Sequence, residues 1–170
     1  MIEQARAAFK EATVIDSRFV PAAIALADLE RAGGDERTAE AILLRAQTIN
    51  PSSGPLLHAL GLSLVRQKRQ GEALEKLAEA TKLSPEEPRF SYVYAVAMHG
   101  AGKAKEAVDI LKAALLRHPY DREILMALIS YETETQDIRS ALGRAELMGR
   151  LEPERTDVQQ LIAILRRAIR

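Results

Sequence analysis

Residues 73–85 read ALEKLAEATKLSP, and residues 107–119 read AVDILKAALLRHP. Each stretch opens on an alanine, places leucine four positions on and alanine seven positions on, and ends on proline twelve positions on. Residues 39–51, AEAILLRAQTINP, repeat the pattern. Residues 141–153, ALGRAELMGRLEP, repeat it with Ala145 and Met148 at the two inner places. The closing prolines, Pro51, Pro85, Pro119 and Pro153, are each 34 residues apart. A fixed period of this size is the signature of stacked supersecondary units, one helix–turn–helix per period.

Other positions keep the same period. Twenty-five residues before each proline stand Leu26, Leu60, Tyr94 and Leu128, followed by Ala27, Gly61, Ala95 and Ile129. Small residues at fixed offsets mark places where helices approach closely, and the larger apolar ones fill the space between. On these residues the chain resembles the tetratricopeptide repeat family over nearly its whole length. The family's early tryptophan and tyrosine are replaced by Ala23, Leu57, Ser91 and Leu125 at the first place and by Glu30, Leu64, Met98 and Glu132 at the second. The resemblance implies an all-α, right-handed superhelical solenoid of antiparallel helix pairs, about ten helices in one domain spanning 1–170.

Within that frame, 1–17 read as the second helix of a partial repeat, with Ile2, Ala5, Phe9 and Ala12 on one face at helical spacing. Ala5, Phe9 and Ala12 precede Ser17 by the offsets that elsewhere precede the prolines. Full repeats follow at 20–53, 54–87, 88–121 and 122–155. Each begins with a helix of about 13 residues, roughly 20 Å long at 1.5 Å per residue. Pro21, Pro55 and Pro88 stand near helix starts, where a missing N–H costs little. Turns are expected at Gly33-Gly34-Asp35, the Gln70-Gly71 region, Gly100 to Gly102, and Gln136-Asp137. Second helices are expected at Arg37–Asn50, Glu72–Leu83, Lys105–His118 and Ile138–Leu151. The periodic prolines end these second helices, because proline cannot continue an α-helix and turns the residue before it toward extended geometry. Residues 156–170 read as a terminal helix whose Ile164 lies opposite the main apolar stripe. The uncovered end helices suggest a chain cut from a longer one, or ends covered by self-association.

Composition narrows the function classes. Lys+Arg and Asp+Glu are both 24, so the formal net charge is zero, which argues against nucleic acid or an anionic membrane as main partner. With no cysteine there are no disulfides, thiolate metal sites or covalent haem attachment. No apolar run reaches the roughly 18 residues of a membrane span, and Met1 to Lys10 lacks a signal-peptide core. Compartment is left open between cytoplasm and periplasm.

No phosphate-binding glycine loop, nucleophile elbow or metalloprotease helix is present, so no enzyme activity and no cofactor are expected. His118, before Pro119, reads as a solvated loop residue. His58 and His99 differ by one repeat plus seven residues, about 10 Å along a helix axis, too far for one metal ion. Glu86-Glu87, Glu132 and Glu134 read as charged surface positions.

Function is then expected on the first helices, which line the extended concave surface of such stacks. Removing the packing positions leaves an inner stripe of Ile24, Asp28 and Arg31; His58, Leu62, Val65 and Arg66; Arg89, Tyr92, Val96 and His99; and Glu123, Met126 and Ser130. Its middle is apolar and aromatic with arginines around it, the composition of interface anchors. Alternatively, Leu62 and Val96 pack in the core and only the polar positions face the groove. The peptide-binding candidates are Arg31, His58, Leu62, Arg66, Arg89, Tyr92, Val96, His99, Met126 and Ser130. Family members that clamp a peptide's carboxylate use inner asparagines and lysines; Asp28, Leu62, Val96 and Ser130 occupy the asparagine places here. The expected function is a non-enzymatic scaffold holding a protein or peptide segment, with no nucleic acid and no membrane insertion. The alternative is a structural or oligomerisation arm, since 54–125 is also similar to repeat arms at the C-terminus of larger bacterial proteins, some with an upstream multihaem domain.

Overall fold

A computed structural model describes residues 1–169 and contains helices only among them. The second-type helices are α1 (Ile2–Ile15), α3 (Glu36–Ile49), α5 (Gln70–Leu83), α7 (Ala104–Arg117) and α9 (Ile138–Leu151), each of 14 residues. The first-type helices are α2 (Val20–Ala32), α4 (Gly54–Arg66), α6 (Pro88–Gly100), α8 (Arg122–Glu134) and α10 (Thr156–Ala168), each of 13 residues. The chain divides into two compact units, Met1–Ser84 with α1–α5 and the remainder from Pro85 with α6–α10. Within each unit every helix packs on the next in sequence. The first-type helices also touch one another, α2 with α4 and α6 with α8.

The boundaries follow local chemistry. Asp35, Ser53, Asp121 and Asp137 are N-caps whose side chains accept from the backbone N–H three residues on, which satisfies donors the helix leaves open. The second-type helices stop at Ile49, Leu83, Arg117 and Leu151 because the next residue leaves helical geometry ahead of the proline. Asn50 and His118 therefore cap α3 and α7 rather than ending them, one residue short of expectation.

The turns inside the repeats keep the period in their backbone. Gly34, Lys68, Gly102 and Gln136 all have positive φ, at 89°, 61°, 77° and 64°. The N–H of the following residue donates to the carbonyl five positions back: Asp35 to Glu30, Arg69 to Leu64, Lys103 to Met98 and Asp137 to Glu132. This is the Schellman closure of a helix C-terminus, which favours glycine because only glycine adopts that backbone without cost. The second turn thus lies at Gln67–Arg69 and not at Gln70-Gly71, which belong to α5. Lys68, lacking glycine's signature, hides the turn from the sequence.

The core is built from the periodic small and large residues. Ala73, Ala107, Ala141, Leu77 and Leu111 are fully buried, and Ala39, Leu43, Ala46, Leu26 and Leu60 nearly so. Gly61 marks a close approach: a Cβ there would stand 2.6 Å from Leu77 Cδ2, so α4 and α5 meet where glycine faces leucine. Tyr94, which shares the packing offset of Leu26, Leu60 and Leu128, is only half-buried. A phenol is costly to bury without a partner for its hydroxyl.

Candidate functional site

The first-type helices carry the candidate residues, and each unit presents its own set. In the first unit, Arg31 Nε donates to Asp28 at 3.3 Å on α2. His58 is buried in α4 and Leu62 is half-buried. Arg66 is held to α3 by Glu36, with Nη2 3.1 Å from Oε1. The Ser63 hydroxyl donates to the same carboxylate at 2.6 Å. Burial alone would raise the Glu36 pKa, but the hydrogen bonds from Arg66 and Ser63 and the Arg66 charge outweigh it and hold the carboxyl below its ordinary range. Beside it, Gln67 Nε2 and Arg69 Nη1 both reach Glu40, at 2.7 and 2.6 Å. The α4 candidate Arg66 is thus anchored in a polar strip running from α4 to α3.

In the second unit the face of α6 and α8 is more apolar. Val96 is 41% exposed and Met126 37%; Tyr92 is half-buried and Ser130 exposed. Arg89 Nη1 lies 3.6 Å from Glu123 Oε2, bridging α6 to α8. His99 stacks flat on Tyr131, with centroids 4.1 Å apart and planes 3° from parallel, and its Nε2 is 2.6 Å from Glu134 Oε2. Burial pushes the Tyr131 phenol above its ordinary pKa, with Tyr92 and Glu134 adding to the effect. Tyr131 was not singled out in the sequence, and Glu134 was read there only as a charged surface position. Spacing on α8 places them on the side toward α6, but nothing local says that His99 meets them there.

Two expectations are corrected. Glu132 is not a surface residue: it is completely buried. It stands at the inward position that Leu64 and Met98 occupy in other repeats. Two cations make this tolerable, Lys112 Nζ from α7 and Arg144 Nη2 from α9, 3.6 and 3.7 Å from its Oε1. Glu30, at the same place in an earlier repeat, solves the problem with Arg6, whose Nε donates at 2.8 Å. An acid at a repeat position otherwise apolar was the available signal. His118 is likewise not a free loop residue. It is half-buried, with Nε2 3.2 Å from the Pro85 carbonyl oxygen.

Among the described residues no three His, Asp or Glu side chains stand close enough together to hold a metal ion. No helix there is long and apolar enough to cross a membrane.

These features define an all-α helical-repeat protein. The family model for the tetratricopeptide repeat matches residues 64–130, so that stretch is similar to the tetratricopeptide repeat. PilF of Pseudomonas aeruginosa has the same fold, with a TM-score of 0.77 and 19% identity over 96% of this chain and 81% of that one. YrrB, described as a tetratricopeptide-repeat protein with an unusual peptide-binding site, aligns with a TM-score of 0.72 and 17% identity over 93% of this chain and 81% of its own. MamA aligns at 0.69 and 15% identity, covering 88% and 91%. No curated protein sequence matches this chain at a significant level.

Proposed function

We propose that this protein is a non-catalytic interaction module that holds a peptide or an extended segment of a partner protein against the face of α6 and α8. The observation that carries the reading is the pairing of exposed Val96 and Met126 with half-buried Tyr92 on that face. Apolar and aromatic side chains left in water at a rigid helix surface gain most from a partner that covers them. Arg89 and Glu123 frame the patch and supply polar contacts at its rim. In the first unit, Arg31, Leu62 and Arg66 supply the corresponding first-helix positions, while His58 is buried in α4. A pull-down with the wild-type chain and with the Y92A/M126A double variant tests the reading. Partners retained equally by both, at unchanged helicity, would remove this face from consideration.

A second reading, an assembly arm that self-associates, is favoured by exposed apolar residues on α1 and α10. Val14 and Ile15 are 78% and 79% exposed, and Ile164 is 61% exposed. Sedimentation at high concentration decides it, since a clean monomer rejects self-association.

A further inference from the structure

The first unit contains a cleft that lies apart from the first-helix faces. It has a volume of about 340 Å³ and runs between α1 and α3 over α2. Its wall and floor are apolar, with Val14 on α1, Leu26 on α2, and Ile42 and Ile49 on α3. The cleft has a local cause. Ala23 lines it, and the same place holds Leu57 and Leu125, both essentially fully buried, and a buried Ser91 in the repeat between them. Alanine leaves open space that leucine fills in two of the three other repeats.

The charges of the cleft are uneven. Arg6 and Glu30 neutralise each other within it. Lys10 and Arg45 also line it, and among the described residues neither side chain forms an ion pair. A chain with no net charge thus concentrates two uncompensated cations beside an apolar slot. We propose that this cleft is a second docking site, which takes a peptide segment of a partner protein carrying a large apolar side chain next to acidic residues. The apolar side chain enters over Ala23, and the carboxylates meet Lys10 and Arg45. The volume is at the low end of the roughly 300–1,000 Å³ of small-ligand sites, which suits one or two side chains rather than a long alkyl chain. The proposal goes beyond the α6–α8 reading and does not depend on it.

The test uses fluorescence anisotropy of the full chain with a fluorescein-labelled peptide, Gly-Asp-Glu-Leu-Phe-Asp-Asp-Gly. Two controls replace the acids by lysine or the Leu-Phe pair by serine. Saturable binding at least tenfold tighter than to either control is expected. Ala23→Leu fills the slot and is expected to weaken binding at least tenfold, as is the surface variant K10E/R45E, which keeps the proposal testable if the leucine variant folds poorly. Y92A/M126A is expected to leave this binding unchanged, which separates the site from the α6–α8 face. Absence of saturable binding, or affinity indifferent to both cleft variants, overturns the proposal. Dodecanoate displacing the peptide at lower concentration would assign the cleft to a lipid anion and overturn it. So would dimerisation of the free chain that Ala23→Leu abolishes, which would assign it to a second copy.

Discussion

Lys112 Nζ stands 3.6 Å from Oε1 of Glu132, a carboxylate with 0% exposure. The distance is too long for a good hydrogen bond, and neither carboxylate oxygen has a hydrogen-bond partner. Burial therefore raises the Glu132 pKa, and the nearby Arg144 and Lys112 only partly offset it. In the unfolded chain the group titrates near the ordinary value of about 4.3. A folded pKa above that value means stability that is full below the ordinary pKa and lost as pH rises through the raised one. Glu132→Gln, or Glu132→Met after Met98, is expected to stabilise the protein by about 1–2 kcal/mol at neutral pH. The gain should shrink near pH 4. Lys112 and Arg144 keep 40% and 30% of their side-chain surface in water, which limits the cost of losing the acid, although Arg144 Nε itself is buried. Thermal melts at both pH values check this, and an equal gain at both would contradict the charge argument.

Lys68 and Gln136 hold the left-handed turn position that Gly34 and Gly102 hold elsewhere. A side chain there costs about 1 kcal/mol or more, partly returned because glycine loses more entropy on folding. Lys68→Gly is expected to raise stability by about 0.5 kcal/mol, and Gly102→Ala to lower it by about 1 kcal/mol. Denaturant midpoints of the two variants should move in opposite directions.

Gly61 and Leu77 form a size-matched pair, and the equivalent pair in the last repeat, Ile129 and Ala145, swaps large and small. Gly61→Ala alone is expected to cost about 1–3 kcal/mol through overpacking. The double change G61I/L77A reproduces the Ile129–Ala145 arrangement and should recover much of that loss. Additivity of the single effects in a double-mutant cycle would show that the two positions are not coupled.

Ala107 is fully buried on α7. Ala107→Glu brings an overpacked side chain and an unpaired charge into that contact, and the two together are expected to cost about 3 kcal/mol or more. A variant melting within a degree or two of the parent would show that Ala107 is not a contact point.

Much of this architecture was written in residue types alone. The prolines, alanines and leucines of the 34-residue period placed every helix, with α9 matching residue for residue. Helix formation and termination depend on neighbours within a few positions, and those neighbours are adjacent in the chain. The buried side of Ala73, Ala107 and Ala141 was legible for the same reason.

Other features emerged only when helices came together. The burial of Glu132 depends on Lys112 and Arg144, which arrive from two other helices. The His99–Tyr131 stack joins α6 to α8, and the turn at Lys68 lacks the residue that would have announced it. The cleft over Ala23 exists because of what α1 and α3 leave unfilled. Periodicity specifies which side of a helix turns inward. What waits on the other side of the contact, and how much space and charge it brings, is set by the packing of distant segments.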